Sequence, residues 1–116
     1  MLKTLNSTEG LRVLMYARYS TDKQNEHSID AQFGMLRDWL EKNGWRNCLI
    51  TELYDKGISG AESSRPGIDE LKNRIEGWQV DVIIAEDIAR FYRDEIFFGL
   101  LVKLANDHNV RVITVN

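Results

Sequence analysis

Hydrophobic residues recur along the chain at two different spacings, and segments with the two spacings alternate. Four short runs rich in apolar residues are typical of β-strands: 13–17, 49–54, 80–85 and 110–115. Between these runs, apolar residues three or four positions apart predict amphipathic helices. The resulting order, β-α-β-α-β-α-β, predicts an α/β fold: a three-layer domain with a mostly parallel central sheet and helices on both faces.

Local signals set the ends of the three predicted helices. The first begins after Ser28, a suitable N-cap, and ends at Asn43-Gly44. The second has Pro66 in its first turn, and the third covers 95–107. The segment 55–66 is rich in turn-forming residues and predicts a loop that is too polar for the core.

The length of 116 residues fits one domain. Residues 1–10 are polar and unpatterned, which predicts a flexible N-terminal tail before a folded domain over 11–116. No apolar run approaches the ~20 residues of a membrane span, and the N-terminus lacks the apolar centre of a secretory signal. Cys48 is the only cysteine, so no disulfide framework is expected. These features predict a cytoplasmic protein without a membrane partner.

Acidic residues slightly outnumber basic ones. There are 18 Asp and Glu against 15 Lys and Arg, which gives a net charge of −3. Charge of this sign opposes the binding of a polyanion such as DNA. If the domain acts on nucleic acid, another part of the protein has to hold the substrate.

Several common catalytic motifs are absent from the sequence. Neither G-x-G-x-x-G nor G-x-x-x-x-G-K-[ST] occurs, which disfavours a dinucleotide or ATP site. G-x-S-x-G is also absent, and His27 and His108 fall outside the predicted strand ends, which disfavours a Ser-His-Asp triad. No H-x-x-x-H spacing or acidic cluster indicates a metal site. We therefore expect no metal and no cofactor.

Arginines recur near the predicted strand ends: Arg18, Arg65, Arg90 and Arg93. Planar, permanently charged guanidinium groups suit phosphate oxygens. The R-x-x-R spacing predicts that Arg90 and Arg93 lie on the same side of a helical turn and reach one site together. Ser20 lies two residues after Arg18. A single arginine is more often part of a salt-bridged surface and a single serine more often a turn residue, so the prediction depends on the whole set.

A serine surrounded by arginines meets the needs of phosphoryl transfer to a hydroxyl group. That reaction requires a positioned nucleophile and donors that stabilise charge on the non-bridging phosphate oxygens. Arginines can supply these donors without a metal ion. The sequence therefore predicts an arginine-lined phosphate site with Ser20 as the reacting hydroxyl.

Four ordered parts of the sequence resemble the catalytic domain of the serine site-specific recombinases, the resolvase and invertase family with its large integrase and transposase relatives. They are similar to the family's Y-x-R-x-S-T signature, its glutamine segment, its D-x-x-x-S-G and R-P-G block and its R-x-x-R-D element: 16–24, 28–32, 54–60 with 65–67, and 90–94. The resemblance extends from Arg12 to Asn116 and implies a resolvase-like fold.

The resemblance also implies a role for each matching residue. Ser20 would form a 5′-phosphoserine link to DNA before the strands are exchanged and religated. Four residues would contact the scissile phosphate: Arg18, Arg65, Arg90 and Arg93. Supporting members of the site would be Tyr16, Gln24, Gln32, Asp55 and Ser59. The implied partners are double-stranded DNA and further copies of the protein, as a dimer on each site and a tetramer during exchange, with no small-molecule cofactor.

The chain departs from the family pattern in two places. Ala89 stands where the family usually has an aspartate before the first arginine of R-x-x-R, and loss of a proton-transferring carboxylate costs ~10²–10⁴-fold in rate. Glu86, Asp87 and Asp55 are candidate substitutes. The chain also stops at Asn116, before the long helix and the DNA-binding domains of the family. We therefore expect a truncated catalytic part of a larger recombinase.

Two other functions stay open at this point. Ala89 motivates a catalytically silent assembly module of the same fold. A flavodoxin-like or receiver-like domain for a small ligand shares the alternating layout, but it explains neither Ser20 nor the paired arginines. These motifs do not encode the target DNA, or the choice among integration, resolution and inversion.

Overall fold

Parallel strands form the centre of the domain. The computed structural model describes residues 8–20, 26–57 and 65–116, and for Ser20 it describes the backbone alone. These residues contain one four-stranded sheet, made of β1 (Arg12–Ser20), β2 (Leu49–Gly57), β3 (Val82–Ala85) and β4 (Arg111–Thr114). All strand pairs are parallel, in the order β2-β1-β3-β4.

Helices cover both faces of the sheet. Those in the described ranges are α1 (Ile29–Lys42), α2 (Pro66–Glu76), α3 (Ile88–Phe91) and α4 (Glu95–Asp107). Helix α1 packs on one face, and α2, α3 and α4 pack on the other. The predicted three-layer α/β architecture is confirmed. Within the same ranges, no helix has the length and apolar character needed to cross a membrane.

Strand β1 is buried on both faces, which is why its apolar run is continuous. Val13, Met15 and Ala17 pack in the core beneath α1, whereas Leu14 and Tyr16 pack in the core beneath the other helices. All five side chains are at most 1% exposed. Full burial of an apolar side chain contributes about 1.5–3 kcal/mol, so β1 anchors both cores.

Helix ends are confirmed where capping chemistry predicted them. Ser28 Oγ accepts a hydrogen bond from the N–H of Ala31 at 3.1 Å, as an N-cap does. Asn43 is the C-cap of α1, and Gly44 follows with φ +74°, in the left-handed region that favours glycine. Pro66 begins α2, where its missing N–H is not needed.

The first two strands extend farther towards their carboxyl ends than predicted. They pair as far as Ser20 with Gly57, so the predicted loop is wrong for its first three residues. The expectation that this segment is too polar for the core is also wrong at its ends, because Asp55 and Arg65 are 5% and 4% exposed. Their opposite charges lie close together, which makes the burial tolerable. Residues 58–64 lie outside the described residues.

Helix α3 is an element that the apolar spacing did not predict. It has four residues, too few to display a helical period. Its N-cap is Asp87, whose Oδ1 accepts a hydrogen bond from the N–H of Arg90 at 3.2 Å. This short helix turns the chain directly after β3 and so places Arg90 at the edge of the sheet.

Residues 8–10 lie against the turn between α1 and β2. The N–H of Gly10 donates to the carbonyl oxygen of Arg46 at 3.3 Å. The half-buried Cys48 places its Sγ 3.4 Å from the carbonyl oxygen of Thr8. Cys48 therefore packs at the margin of the core beneath α1.

Candidate active site

The candidate site lies at the carboxyl edge of the sheet, between β1 and β3. The chain runs from β1 outwards to β2 and then returns to the other side of β1 to form β3. Parallel α/β sheets bind their ligands at such a switch point. Ser20 is the last residue of β1, and Glu86 directly follows β3. The switch point therefore brings two parts of the chain to one edge of the sheet: the main chain of Ser20 and the segment that leads from Glu86 into the R-x-x-R element.

Gln32 holds the main chain of β1 just before Ser20. Its side chain is fully buried. Its Oε1 accepts from the N–H of Arg18 at 3.2 Å, and its Nε2 donates to the carbonyl oxygens of Arg18 at 2.9 Å and His27 at 2.8 Å. A side chain of α1 thus fixes both the strand end and the residue that precedes the N-cap of α1.

A buried cluster joins β1, β2 and the start of α2. Tyr16 donates its O–H to Asp55 Oδ2 at 2.5 Å and accepts from Arg65 Nη2 at 2.7 Å, while Arg65 Nε lies 3.8 Å from Asp55 Oδ2. Burial raises the pKa of the Tyr16 phenol, with the Arg65 charge acting in the opposite direction. The phenol therefore stays protonated and links the two charged groups.

Asp55 also caps α2, although it belongs to β2. The helix's own N-cap, Arg65, supplies no side-chain hydrogen bond. Instead, Asp55 Oδ1 accepts from the N–H of Gly67 at 2.8 Å and Oδ2 accepts from the N–H of Ile68 at 3.0 Å. A Cβ on Gly67 would collide with the carbonyl oxygen of Tyr54 and lie 2.9 Å from Asp55 Oδ2. Glycine is therefore required for this approach.

Asp55→Asn is expected to lower the free energy of unfolding by about 3–5 kcal/mol. Three donors converge on the carboxylate, and an amide offers one oxygen in place of two. Urea unfolding measures the loss. The matched control is Asp69→Asn, which removes an exposed first-turn charge of the same helix and should cost less than about 1 kcal/mol. Equal losses in the two variants would contradict the capping role of Asp55.

The Arg65 guanidinium has buried donors left over. Its Cζ lies 4.9 Å from the ring centroid of Tyr92 and 5.6 Å from that of Tyr16, and its Nη2 also donates to the carbonyl oxygen of Arg90 at 2.9 Å. Among the residues that the structure describes, no hydrogen-bond acceptor meets its Nε or Nη1. Buried donors without acceptors are rare, so Arg65 is suited to an incoming anion.

Carboxylates surround Arg90. Its Nε and Nη2 lie 3.2 and 3.1 Å from Glu86 Oε1, and its Nη1 lies 3.2 Å from Glu26 Oε1. Arg90 Nη1 also donates to the carbonyl oxygen of Arg18 at 3.3 Å. Arg93 Nη2 lies 3.5 Å from the same oxygen of Glu26. The predicted meeting of the two R-x-x-R arginines is therefore observed, with Glu26 between them.

The predicted helical relation between these two arginines is wrong. Helix α3 ends at Phe91, and Tyr92 has an extended backbone with φ −153°, so Arg93 lies beyond the helix. The two side chains meet because the chain turns out of α3 and because both bind Glu26. They also differ in exposure, at 9% for Arg90 and 41% for Arg93.

His27 contacts a residue at this edge of the sheet, although it does not follow a strand. Its Nδ1 lies 2.5 Å from Glu86 Oε2. The Glu86 side chain is 4% exposed, whereas the imidazole is 53% exposed. Sequence patterns missed His27 and Glu26 because neither follows an apolar run. The available signal was Glu86, a charged residue placed directly after a buried strand.

Ala89 contributes its main chain. Its carbonyl oxygen accepts a hydrogen bond from Arg18 Nη2 at 2.8 Å. Its side chain lines a cleft of about 590 Å³ together with Tyr92 and Arg93. The candidate substitutes for the missing aspartate are already engaged, since Asp55 caps α2, Asp87 caps α3 and Glu86 binds Arg90 and His27.

The charged groups of the site balance one another within the described residues. The cations are Arg18, Arg65, Arg90 and Arg93, and the anions that contact one or more of them are Glu26, Asp55, Glu86 and Asp87. The prediction of an arginine-lined site is therefore incomplete, because carboxylates share it. A phosphate entering this site has to compete with them.

Two predicted site residues, Gln24 and Ser59, lie outside the described residues, as does the side chain of Ser20. The backbone of Ser20 is placed, opposite Gly57 of β2. Within the described ranges, no three His, Cys, Asp or Glu side chains are grouped as a metal site requires.

Comparisons with known proteins agree with this architecture. A family model described as Resolvase, N terminal domain, matches residues 13–116. The chain is similar to the C-terminal catalytic domain of ISC1926 TnpA, an IS607-like serine recombinase, with 27% identity over 91% of this chain and 70% of that chain and a TM-score of 0.74. It is also similar to the N-terminal catalytic domain of TP901-1 integrase, with 27% identity, 90% and 77% coverage and a TM-score of 0.72.

A third similarity concerns the fold alone. The first open reading frame of transposon ISC1904 from Sulfolobus solfataricus P2 is 23% identical, over 90% of this chain and 67% of that chain, with a TM-score of 0.70. The resemblance that the sequence motifs indicated is confirmed by the family model and by the two similarities at 27% identity.

Proposed function

Because the chain belongs to the resolvase N-terminal domain family and has the fold of a serine recombinase catalytic domain, we propose that it cleaves and rejoins DNA with Ser20 as nucleophile. One observation carries the proposal. Arg18, Arg65 and Arg90 are buried and connected by hydrogen bonds at the edge where β1 ends in Ser20.

The proposed reaction is a phosphoryl transfer without a metal or cofactor. Ser20 Oγ loses its proton and forms a bond to phosphorus while the bond from phosphorus to the 3′ oxygen breaks. The 3′ oxygen leaves with the electron pair and takes up a proton, so that the step involves no net gain or loss of protons. The arginines stabilise the charge that spreads over the non-bridging oxygens. Religation is the reverse displacement, in which a 3′ hydroxyl attacks the phosphoserine and returns Ser20.

The arginines would act in different ways. Arg65 has buried donors without acceptors among the described residues, and so it can bind a phosphate oxygen without losing a partner. Arg90 is oriented by Glu86 and Arg18 by the carbonyl oxygen of Ala89. Arg93 is more exposed than Arg90, at 41% against 9%, and would meet the DNA backbone from outside. Tyr16, Gln32 and Asp55 would position these groups, as would Gln24 and Ser59, which the structure does not describe.

DNA and further copies of the protein are the proposed partners. The net charge of −3 supports a division of labour, in which other parts of a longer recombinase hold the DNA. Helix α4 exposes apolar side chains that suit a subunit contact, with Ile96 74%, Leu100 58% and Phe97 51% exposed. We place the protein in the cytoplasm, with a role in the movement of a genetic element.

A covalent-trapping assay tests this function. Genomic DNA fragments that the full-length recombinase retains are sequenced to find its site, and that site is then synthesised with a nick that prevents religation. A protein–DNA adduct that survives denaturing electrophoresis supports the proposal. Protein that binds the site without forming an adduct would instead support the silent assembly module that Ala89 motivates.

Ala89→Asp is expected to change the rate of adduct formation by less than about tenfold, well below the ~10²–10⁴-fold value of a proton-transferring group. The reason is that the main-chain carbonyl of Ala89 already orients Arg18. Ala89→Asn is the control of matched size without charge. An adduct that forms with Ala89→Asp but not with the wild type or Ala89→Asn would identify a silent module and contradict the proposal.

A further inference from the structure

Glu26 occupies the position between two arginines that the reaction needs. Its Oε1 lies 3.2 Å from Arg90 Nη1 and 3.5 Å from Arg93 Nη2. The side chains of Glu26 and Arg90 are 13% and 9% exposed, so their contact is largely shielded from water, whereas Arg93 approaches Glu26 from the exposed side with 41% of its side chain accessible. A phosphate oxygen bound between the same two guanidinium groups would take the place of this carboxylate oxygen.

We propose that Glu26 acts as an internal phosphate mimic, which closes the anion site of Arg90 and Arg93 in the absence of DNA and leaves when a backbone phosphate enters. This inference rests on the proposed function, because it assigns the two arginines to a phosphate. It makes Glu26 a positioning residue, since it holds both arginines at the phosphate position while the site is empty.

The other carboxylates near Arg90 are less suited to leave. Glu86 is 4% exposed and its two oxygens are divided between Arg90 and His27. Asp87 caps α3 through the N–H of Arg90. Displacement of Glu86 would break its contact with His27, and displacement of Asp87 would remove the cap of α3. Arg90 would keep Glu86 as its partner after Glu26 departs.

The surroundings of Glu26 give its side chain room to move. Glu26 lines a cleft of about 620 Å³, and Tyr19 and Lys56 line the same cleft. Lys56 supplies a cation on that side. The next residue, His27, is held by its carbonyl oxygen on Gln32 and by its ring on Glu86. In the proposed exchange the Glu26 side chain would turn into this cleft, while the contacts of His27 keep the start of α1 in place.

Closure by a tethered carboxylate would make the site selective. A free anion has to displace Glu26 with its own binding free energy alone. A phosphate within DNA arrives together with every other contact between DNA and protein, and those contacts contribute to the displacement. The site would thus stay closed to small cellular anions and open on DNA.

The test compares Glu26→Gln with Glu70→Gln. Each removes one negative charge that is paired with arginine. Glu26 pairs with Arg90 and Arg93, whereas Glu70 pairs with Arg74 on the exposed side of α2. The probe is inorganic phosphate, titrated by calorimetry. Glu26→Gln is expected to bind phosphate roughly tenfold tighter than the wild type, because the competing carboxylate is gone. The Glu70→Gln variant should bind like the wild type. Arg93→Gln added to Glu26→Gln should remove the gain.

Phosphate affinity in Glu26→Gln that is equal to or weaker than that of Glu70→Gln would overturn the inference. If Glu26→Gln fails to fold, ¹³C NMR of the Glu26 carboxylate in the wild type replaces it, and an unchanged signal at saturating DNA would be the contradicting result. Failure of the proposed function is a separate outcome. If Glu26→Gln binds phosphate more tightly but the wild-type protein forms no Ser20 adduct with DNA, the role of Glu26 at the anion site is supported and the proposed DNA cleavage is rejected.

Discussion

Replacing Ser20 with alanine is expected to abolish the covalent protein–DNA adduct, with a loss of roughly 10⁶-fold that falls below detection. The remaining groups can bind and polarise a phosphate, but no oxygen is left at the end of β1 to attack it. DNA retention should be unchanged, because most of the binding free energy comes from contacts outside the reacting hydroxyl. Denaturing electrophoresis with the nicked site measures the adduct, and a filter-retention assay measures binding.

Ser28→Ala is the control for loss of a hydroxyl group nearby. Ser28 caps α1, so its loss should cost about 1 kcal/mol of stability while the adduct still forms. An adduct of normal yield from Ser20→Ala would remove Ser20 from the mechanism. Loss of the adduct in both variants would point to a folding defect shared by the two.

Arg18→Lys is expected to slow adduct formation by about 10²–10³-fold, the usual effect of removing one charge-stabilising donor. Lysine keeps the charge, but it cannot both donate to the carbonyl oxygen of Ala89 and present a planar fork to phosphate. The main-chain contacts with Gln32 do not involve the side chain, so β1 should keep its position. Single-turnover cleavage of the nicked site gives the rate.

Arg37→Lys serves as the comparison for this change. Arg37 forms an exposed ion pair with Glu52, and its replacement should leave the cleavage rate unchanged. A rate for Arg18→Lys within about twofold of the Arg37→Lys rate would mean that Arg18 does not contact the phosphate. Thermal unfolding of both variants separates a lost contact from a lost fold.

Fold class and helix ends could be predicted because they follow from local rules. Continuous apolar runs marked strands buried on both faces, as β1 and β3 are. Ser28 and Pro66 marked helix starts by hydrogen-bonding chemistry that involves only their neighbours. Strand burial and helix starts thus depend on residues that are close together in the chain, and for this reason they can be predicted from the sequence.

The arrangement inside the site could not be predicted, because it depends on contacts between distant segments. Asp55 caps α2 from β2, so a residue that looked like part of a polar loop is buried. Glu26 binds Arg93 although the two residues are 67 positions apart and no helical or strand periodicity relates them. His27 meets Glu86 across 59 positions. Such pairs form only when the parallel sheet brings its carboxyl ends together.

The structure also changes the electrostatic view of the site. The sequence predicted an arginine-lined phosphate site within a domain of net charge −3. In the described residues, three arginines of the site lie beside carboxylates: Arg65, Arg90 and Arg93. Arg65 nevertheless has N–H donors without a hydrogen-bond acceptor in those residues. Reactivity would therefore depend on the exchange of a protein carboxylate for a DNA phosphate, which provides a control step before cleavage.

Identification of the residue that carries DNA tests the central claim most directly. The adduct formed by the wild-type protein on its nicked site is digested with a protease and a nuclease, and the nucleotide-bearing peptide is mapped by mass spectrometry. A nucleotide on Ser20, within the peptide that follows Arg18, is the result that we predict. A nucleotide on any other residue, or bound protein that never forms an adduct, would contradict the account.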